Sequence, residues 1–287
     1  METIFSYCAL KMGREGRKSR FRIGITPPPS LFRVGKTKEQ GRKTQCLGNV
    51  KQLQQIWTMY VFDHNDVFAG LQWAGGAMNF SPLNSDNTNV DLLINPNGSF
   101  LASNVGGSNH YSGPVQFAYY NKNPAIFRCP SDPAMIDYGI RKVPRIRSYS
   151  LNWVLDYGST RFPRLANLAD VVNPGPSEQF AFLDENAITI FEQDFFLDYY
   201  LYRFDSLPAS YHDGASVISF LDGHCETHRW TDPRTTPVLS PAWMSLTLPP
   251  AGEFSDMNGY AGTHTDERGS PDPIWLHSKS YPPEGGW

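Results

Sequence analysis

Three histidines and a carboxylate crowd one short stretch of the chain, where His212, Asp222, His224 and His228 lie close together. An imidazole beside a carboxylate can bind a metal or move a proton. The same stretch, YHDGASVISFLDGH, also reads as two strands around a turn. Val217, Ile218, Phe220 and Leu221 are β-branched or large and apolar, and Asp222-Gly223 suits the positive φ angles of a type I′ hairpin. Turn chemistry explains both Gly214 and Gly223, and it predicts that His212 caps the first strand by hydrogen-bonding to backbone. On a strand, His224 and His228 would lie about 13 Å apart, too far to share a zinc ion.

Other reactive groups are scattered. Asp184 and Glu185 are adjacent beside a strand candidate, so they point to opposite faces and make a poor acid–base pair. The chain has no Gly-x-Ser-x-Gly elbow, no phosphate-cradling Gly-x-x-x-x-Gly-Lys-Ser/Thr and no Gly-x-Gly-x-x-Gly after a strand. Gly106-Gly107 lacks the helix that a phosphate site needs. The four cysteines, Cys8, Cys46, Cys129 and Cys225, form no Cys-x-x-Cys pair, which leaves neither a zinc ribbon nor a thioredoxin-type motif. The expectation is a protein that is not an enzyme.

The elements that must position these groups begin with a helix over residues 36–64. Cys46, Val50, Leu53, Trp57 and Tyr60 recur at four- and three-residue steps, with Leu47, Ile56 and Val61 widening the stripe. Residues 36–45 are polar throughout, which predicts a solvated spacer on a helix about 43 Å long. Asn, Ser and Gly dominate residues 81–113, a loop region. Strands are predicted over 147–154 and 180–183 and in the hairpin from Val217 to Trp230. Beyond Asp232-Pro233, Pro237, Pro241, Pro249, Pro250, Pro271 and Pro273 predict an irregular tail. The outcome is an α+β fold, a long N-terminal helix packed on an antiparallel β-sheet head with long loops. Its parts are an atypical basic and Pro-rich N-terminus (1–35, expected to be disordered), a spine helix (36–66) and the head (67–287).

Charge divides the chain the same way. Up to Gln45 there are eleven Lys and Arg against three Asp and Glu, and beyond it fourteen against twenty-five. A basic segment ahead of an acidic body serves nucleic acid, an anionic surface or the flank of a membrane segment. No helix-turn-helix pattern, RRM-like aromatic strand or zinc-finger spacing accompanies it, so no nucleic-acid partner is expected.

Several blocks together resemble one family. The His212-to-Asp222-Gly223 spacing is similar to the H-X9-DG signature of prepilin-type proteins, pseudopilin-like chains related to the major subunit of type II secretion systems. The run KTKEQGRKTQCLGNVKQL over residues 36–53, followed by Tyr60, Asp63 and Asn65, resembles the stretch just past the membrane helix of those proteins. The blocks FRCPSD at 127–132, RSYSLN at 147–152 and SPDPIWL at 270–276 look familial too. The resemblance implies a pilin-like fold and a structural subunit of a type II secretion or type IV pilus-like assembly. It implies location in the cell envelope or periplasm, with copies of itself or other pseudopilins as partners.

The family's major pseudopilins carry a calcium loop late in the head, which here would draw on Asp256, Asn258 and Asp266, with Glu267 nearby. In an exported protein Cys46 and Cys129 could pair as a disulfide fastening the helix to the body. Family members begin with a basic leader, a cleavage site and about twenty apolar residues that cross a bilayer. Residues 1–35 contain no such segment and no signal peptide, only a charged run and Pro27-Pro28-Pro29. The expectation is a chain that is soluble as written, its anchor missing through a frame error, a wrong start or a real loss. An alternative role is an extracytoplasmic binding module for glycans or envelope partners, since seven Trp and fourteen Tyr offer stacking platforms.

Overall fold

The computed structural model describes residues 29–68, 88–96, 116–155, 165–187, 189–190, 194–198, 203–204, 206–237, 245–247 and 269–280. In chain order the elements are helices α1 (Pro29–Asp63) and α2 (Asp91–Ile94), then strands β1 (Met135–Asp137), β2 (Lys142–Pro144), β3 (Tyr149–Asn152) and β4 (Phe180–Asp184). Strands β5 (Asp194–Phe195), β6 (Leu197–Asp198), β7 (Arg203–Phe204), β8 (Ala215–Phe220), β9 (Cys225–Arg229) and β10 (Ser245–Thr247) follow, and helix α3 (Pro271–Ser278) comes last.

The central sheet has five strands in the order β5-β3-β4-β8-β9. It is antiparallel through β3, β4, β8 and β9, as expected for an α+β head, but β5 joins β3 in parallel. A second parallel pair, β1 with β10, belongs to a small three-stranded sheet with β2. The expected antiparallel sheet is therefore mixed at its edge.

Helix α1 starts at Pro29, seven residues before the expected Lys36, so residues 29–35 of the supposed irregular N-terminus are helical. Pro29 occupies the first helical position, where a missing N–H goes unneeded and φ is already set. At 35 residues α1 is about 52 Å long. Its predicted stripe is the buried one: Cys46, Val50, Leu53, Ile56, Trp57, Tyr60 and Val61 join Phe117, Phe127, Tyr149, Leu151, Phe182 and Val217 in the main core. A smaller core on the far face of the sheet gathers Phe180, Leu183, Phe195, Ile218, Phe220, Trp230 and Leu276.

The alternation along β4 is interrupted. Its register to β8 shifts between Phe180 and Leu183, so Phe180 and Leu183 both face the far core while Ala181 and Phe182 face α1. A bulge inserts one extra residue and inverts the side-chain parity beyond it. Asp184, two residues after Phe182, is thereby aimed at the helix.

The expectation of an irregular tail is corrected by α3 and β10. Pro271 and Pro273 do not prevent the helix, because both fall in its first turn, where no N–H needs an intrahelical acceptor, and Ser270 caps it by accepting from the Asp272 N–H. Strand β3 falls within the predicted 147–154 and is buried along its whole length. It lies between β4 and β5 with a core on each side, so both faces are covered.

Candidate functional site

Four side chains that are far apart in sequence converge where α1 crosses the sheet. Cys46 comes from α1, Cys129 from the turn after the 3₁₀ helix Pro124–Phe127, Asp184 from the end of β4 and His212 from the turn ahead of β8. All four are buried, and one ligand-type atom from each lies within 4.8 Å of every other. The Cys46 thiol donates to Asp184 Oδ2 at 3.3 Å, Cys129 Sγ lies 3.3 Å from His212 Nε2, and Nε2 lies 3.5 Å from Asp184 Oδ2.

A surrounding ring of groups holds these four. The Tyr149 hydroxyl donates to Cys46 Sγ at 3.2 Å. The other imidazole nitrogen, Nδ1, lies 3.1 Å from Glu39 Oε1, and the same oxygen accepts from the Ser131 hydroxyl at 2.9 Å. Asn49 on α1 donates to the Arg128 carbonyl at 3.0 Å, fixing the helix against the Cys129 turn. The Asn123 side chain caps the 3₁₀ helix that leads into that turn.

The electrostatics follow from burial. Desolvation raises the Cys46 thiol far above its usual range, with Cys129 and Asp184 adding to the effect. Burial also raises Asp184, opposed by its hydrogen bond to His212. For His212, burial acts against the charged form, yet hydrogen bonds to Asp184 and Cys129 outweigh it and push the imidazole up to about 10. These neighbours keep the imidazole protonated through neutral pH.

A further polar cluster lies alongside. Arg145 and Asp132 form a buried ion pair at 2.6 Å, and Ser148 donates to the same carboxylate oxygen at 2.6 Å. Glu185 turns away from Asp184, as adjacent strand positions must, and accepts from Ser150. Arg147 donates to the Tyr149 carbonyl at 2.7 Å and to Ser150 at 2.9 Å. Outside, a groove of about 620 Å³ runs along α1, lined by Lys36, Glu39, Lys43, His212, Thr227 and Arg229.

Two expectations for the hairpin are corrected. The His212 imidazole makes no backbone cap; it points inward, and only its backbone N–H bonds locally, to the Ala215 carbonyl at 3.3 Å. The turn is not type I′, because Gly223 has positive φ and Asp222 does not. The Gly223 N–H returns to the Phe220 carbonyl and the Phe220 N–H to the His224 carbonyl, the pattern of a three-residue loop closed by a left-handed glycine. Asp222 accepts from the His224 backbone at 3.0 Å and contacts its ring at 2.6 Å. Neither Asp222 nor Gly223 reaches the buried cluster.

His224 and His228 stay apart, as strand geometry requires. His224 stacks on Phe220, and His228 stacks on Trp275 with centroids 3.4 Å apart. Cys46 and Cys129 are neighbours, but both are free thiols in this structure and not the disulfide that export would imply. The proposed calcium ligands Asp256, Asn258 and Asp266, with Glu267, lie outside the described residues. Trp57, Trp153 and Trp230, which lie within or beside the predicted elements, are core residues and present no stacking platform.

Sequence reasoning paired Cys46 with Cys129 and singled out His212, but it did not bring the histidine to the two thiols. Each sits in a different block of the family-like pattern, which was the available signal. Asp184 gave none, since its direction depends on a bulge. The chain matches no family profile, no curated protein and no solved structure.

Proposed function

We propose that this protein is a non-enzymatic, pilin-like structural subunit of a secretion or pilus-type assembly, built to stack with copies of itself or related subunits. The observation that carries the reading is the division of α1. From Cys46 to Val61 one face lies on the sheet, whereas most side chains from Gly35 to Gln45 are exposed or partly so. A helical stretch that is polar and largely uncovered, as residues 35–45 are, is a poor core element and a good stalk. Among the described residues no helix is long and apolar enough to cross a membrane.

The reactive groups are consistent with a structural role. Cys46, Cys129, Asp184 and His212 are buried against one another, and Glu39 stands between the imidazole and the outer groove. The test is to join a prepilin leader and apolar segment ahead of Pro29 and to express the fusion with a prepilin peptidase. Cleavage and recovery of the subunit in sheared fibres is the expected result. Cleaved subunits that remain dispersed in the membrane, while the head captures glycans, would replace this reading with the binding-module alternative.

A further inference from the structure

We infer that Cys46, Cys129, Asp184 and His212 form a structural site for one zinc-class divalent cation, with the two thiolates, one carboxylate oxygen and the imidazole Nε2 as donors. This assignment is independent of the assembly reading. It rests first on donor geometry. A tetrahedral zinc site with bonds of about 2.3 Å to sulfur and about 2.0–2.1 Å to nitrogen or oxygen has donors about 3.3–3.8 Å apart along its edges. Three of the six edges here are 3.3, 3.3 and 3.5 Å, and all six are within 4.8 Å, a spread that a bound ion would close to the tetrahedral range.

The second support is the ring behind the donors. Histidines that bind zinc donate their other N–H to a carboxylate or carbonyl, which fixes both tautomer and ring orientation. His212 presents Nδ1 to Glu39 and leaves Nε2 facing the thiols and Asp184. Tyr149 supplies a donor to Cys46 Sγ, and Ser131 holds Glu39 in place. No redox change is involved; binding releases the two thiol protons and the proton on the imidazole, and the cation takes their place.

Glu39 is partly exposed and lines the outer groove, so it marks a route by which a cation reaches His212. It acts as a positioning residue. Selectivity follows from the donors: two sulfurs and one nitrogen suit zinc and disfavour calcium or magnesium, which require oxygen.

The full chain, purified without a metal-binding tag under reducing conditions, should carry close to one zinc per chain by elemental analysis. Cobalt substitution should give a thiolate charge-transfer band. Cys129→Ala should abolish both, and Cys225→Ala, which alters a thiol outside the cluster, should leave both unchanged. Because Cys129→Ala also removes core volume, Glu39→Gln provides the second variant: full stoichiometry at saturating zinc with affinity weakened about 10- to 100-fold. A folded wild-type chain that takes up no zinc or cobalt would overturn the assignment. So would a Cys46–Cys129 disulfide in freshly isolated protein, or unaltered affinity in Glu39→Gln together with full loading of Cys129→Ala.

Discussion

Glu185 lies at 1% exposure with Arg145 and Arg147 nearby, and burial, the largest influence, pushes its carboxyl up to about 7 despite the Ser150 hydrogen bond and the two guanidiniums. The direction of the linkage follows. The folded state retains the Glu185 proton to higher pH than the unfolded chain, whose carboxyl loses it near 4.5. Stability is therefore greatest below the unfolded value, falls as pH rises from about 4.5 to about 7, and levels off above that. The loss attached to this one group is about 3 kcal/mol. Urea denaturation across that range should show the slope in wild type and a flatter profile in Glu185→Gln, with the variant more stable at pH 8. Equal slopes in both proteins would show that Glu185 ionises without penalty.

At the scale of elements, α1 is where periodicity carried most information. Trp57 is 1% exposed and packs on Phe68 with ring centroids 4.9 Å apart. Trp57→Ala should cost about 3–5 kcal/mol by equilibrium unfolding, the range for emptying a large aromatic site. Gly48 lies on the same helix, and a Cβ built there meets no atom within 4 Å. Gly48→Ala should therefore raise stability by about 0.5–1 kcal/mol, because the substitution removes backbone freedom from the unfolded chain without a clash. The stripe from Cys46 to Val61 was legible because one helix face and one core explain it. The β8–β9 hairpin was legible for a similar local reason, since Asp222-Gly223 directly follows the β-branched and aromatic run from Val217 to Leu221. What stayed hidden was non-local. The β4 bulge has no glycine to announce it, the parallel pairing of β5 with β3 joins segments over forty residues apart, and Pro271 reads equally well as a breaker or as a first helical residue. The candidate site combines both cases: Cys46 was placed by helix periodicity, whereas Asp184 and Cys129 are brought to it only by the fold.

At the scale of the whole molecule, the zinc assignment makes the cluster a clamp across the chain. Its donors run from residue 46 to residue 212, so one bound ion closes loops that together span most of the head. A cation that binds only the folded chain stabilises it by mass action. Free zinc held at a hundred times its dissociation constant adds about 2.7 kcal/mol, which for a body of this size corresponds to a Tm about 5–11 °C higher than in chelator. The same clamp predicts where the molecule opens when zinc is withdrawn. With zinc, trypsin should be confined within the described part of α1 to the exposed stalk, at Lys36, Lys38, Arg42 or Lys43. With chelator, cleavage after Lys51 should appear, because Cys46 and Asn49 no longer hold that turn against the Cys129 loop with the same strength. A Tm indifferent to chelator, with the Lys51 bond equally protected in both conditions, would mean that apolar packing alone fastens the helix to the sheet. In that case the four residues are a buried hydrogen-bonded cluster with no ion at its centre.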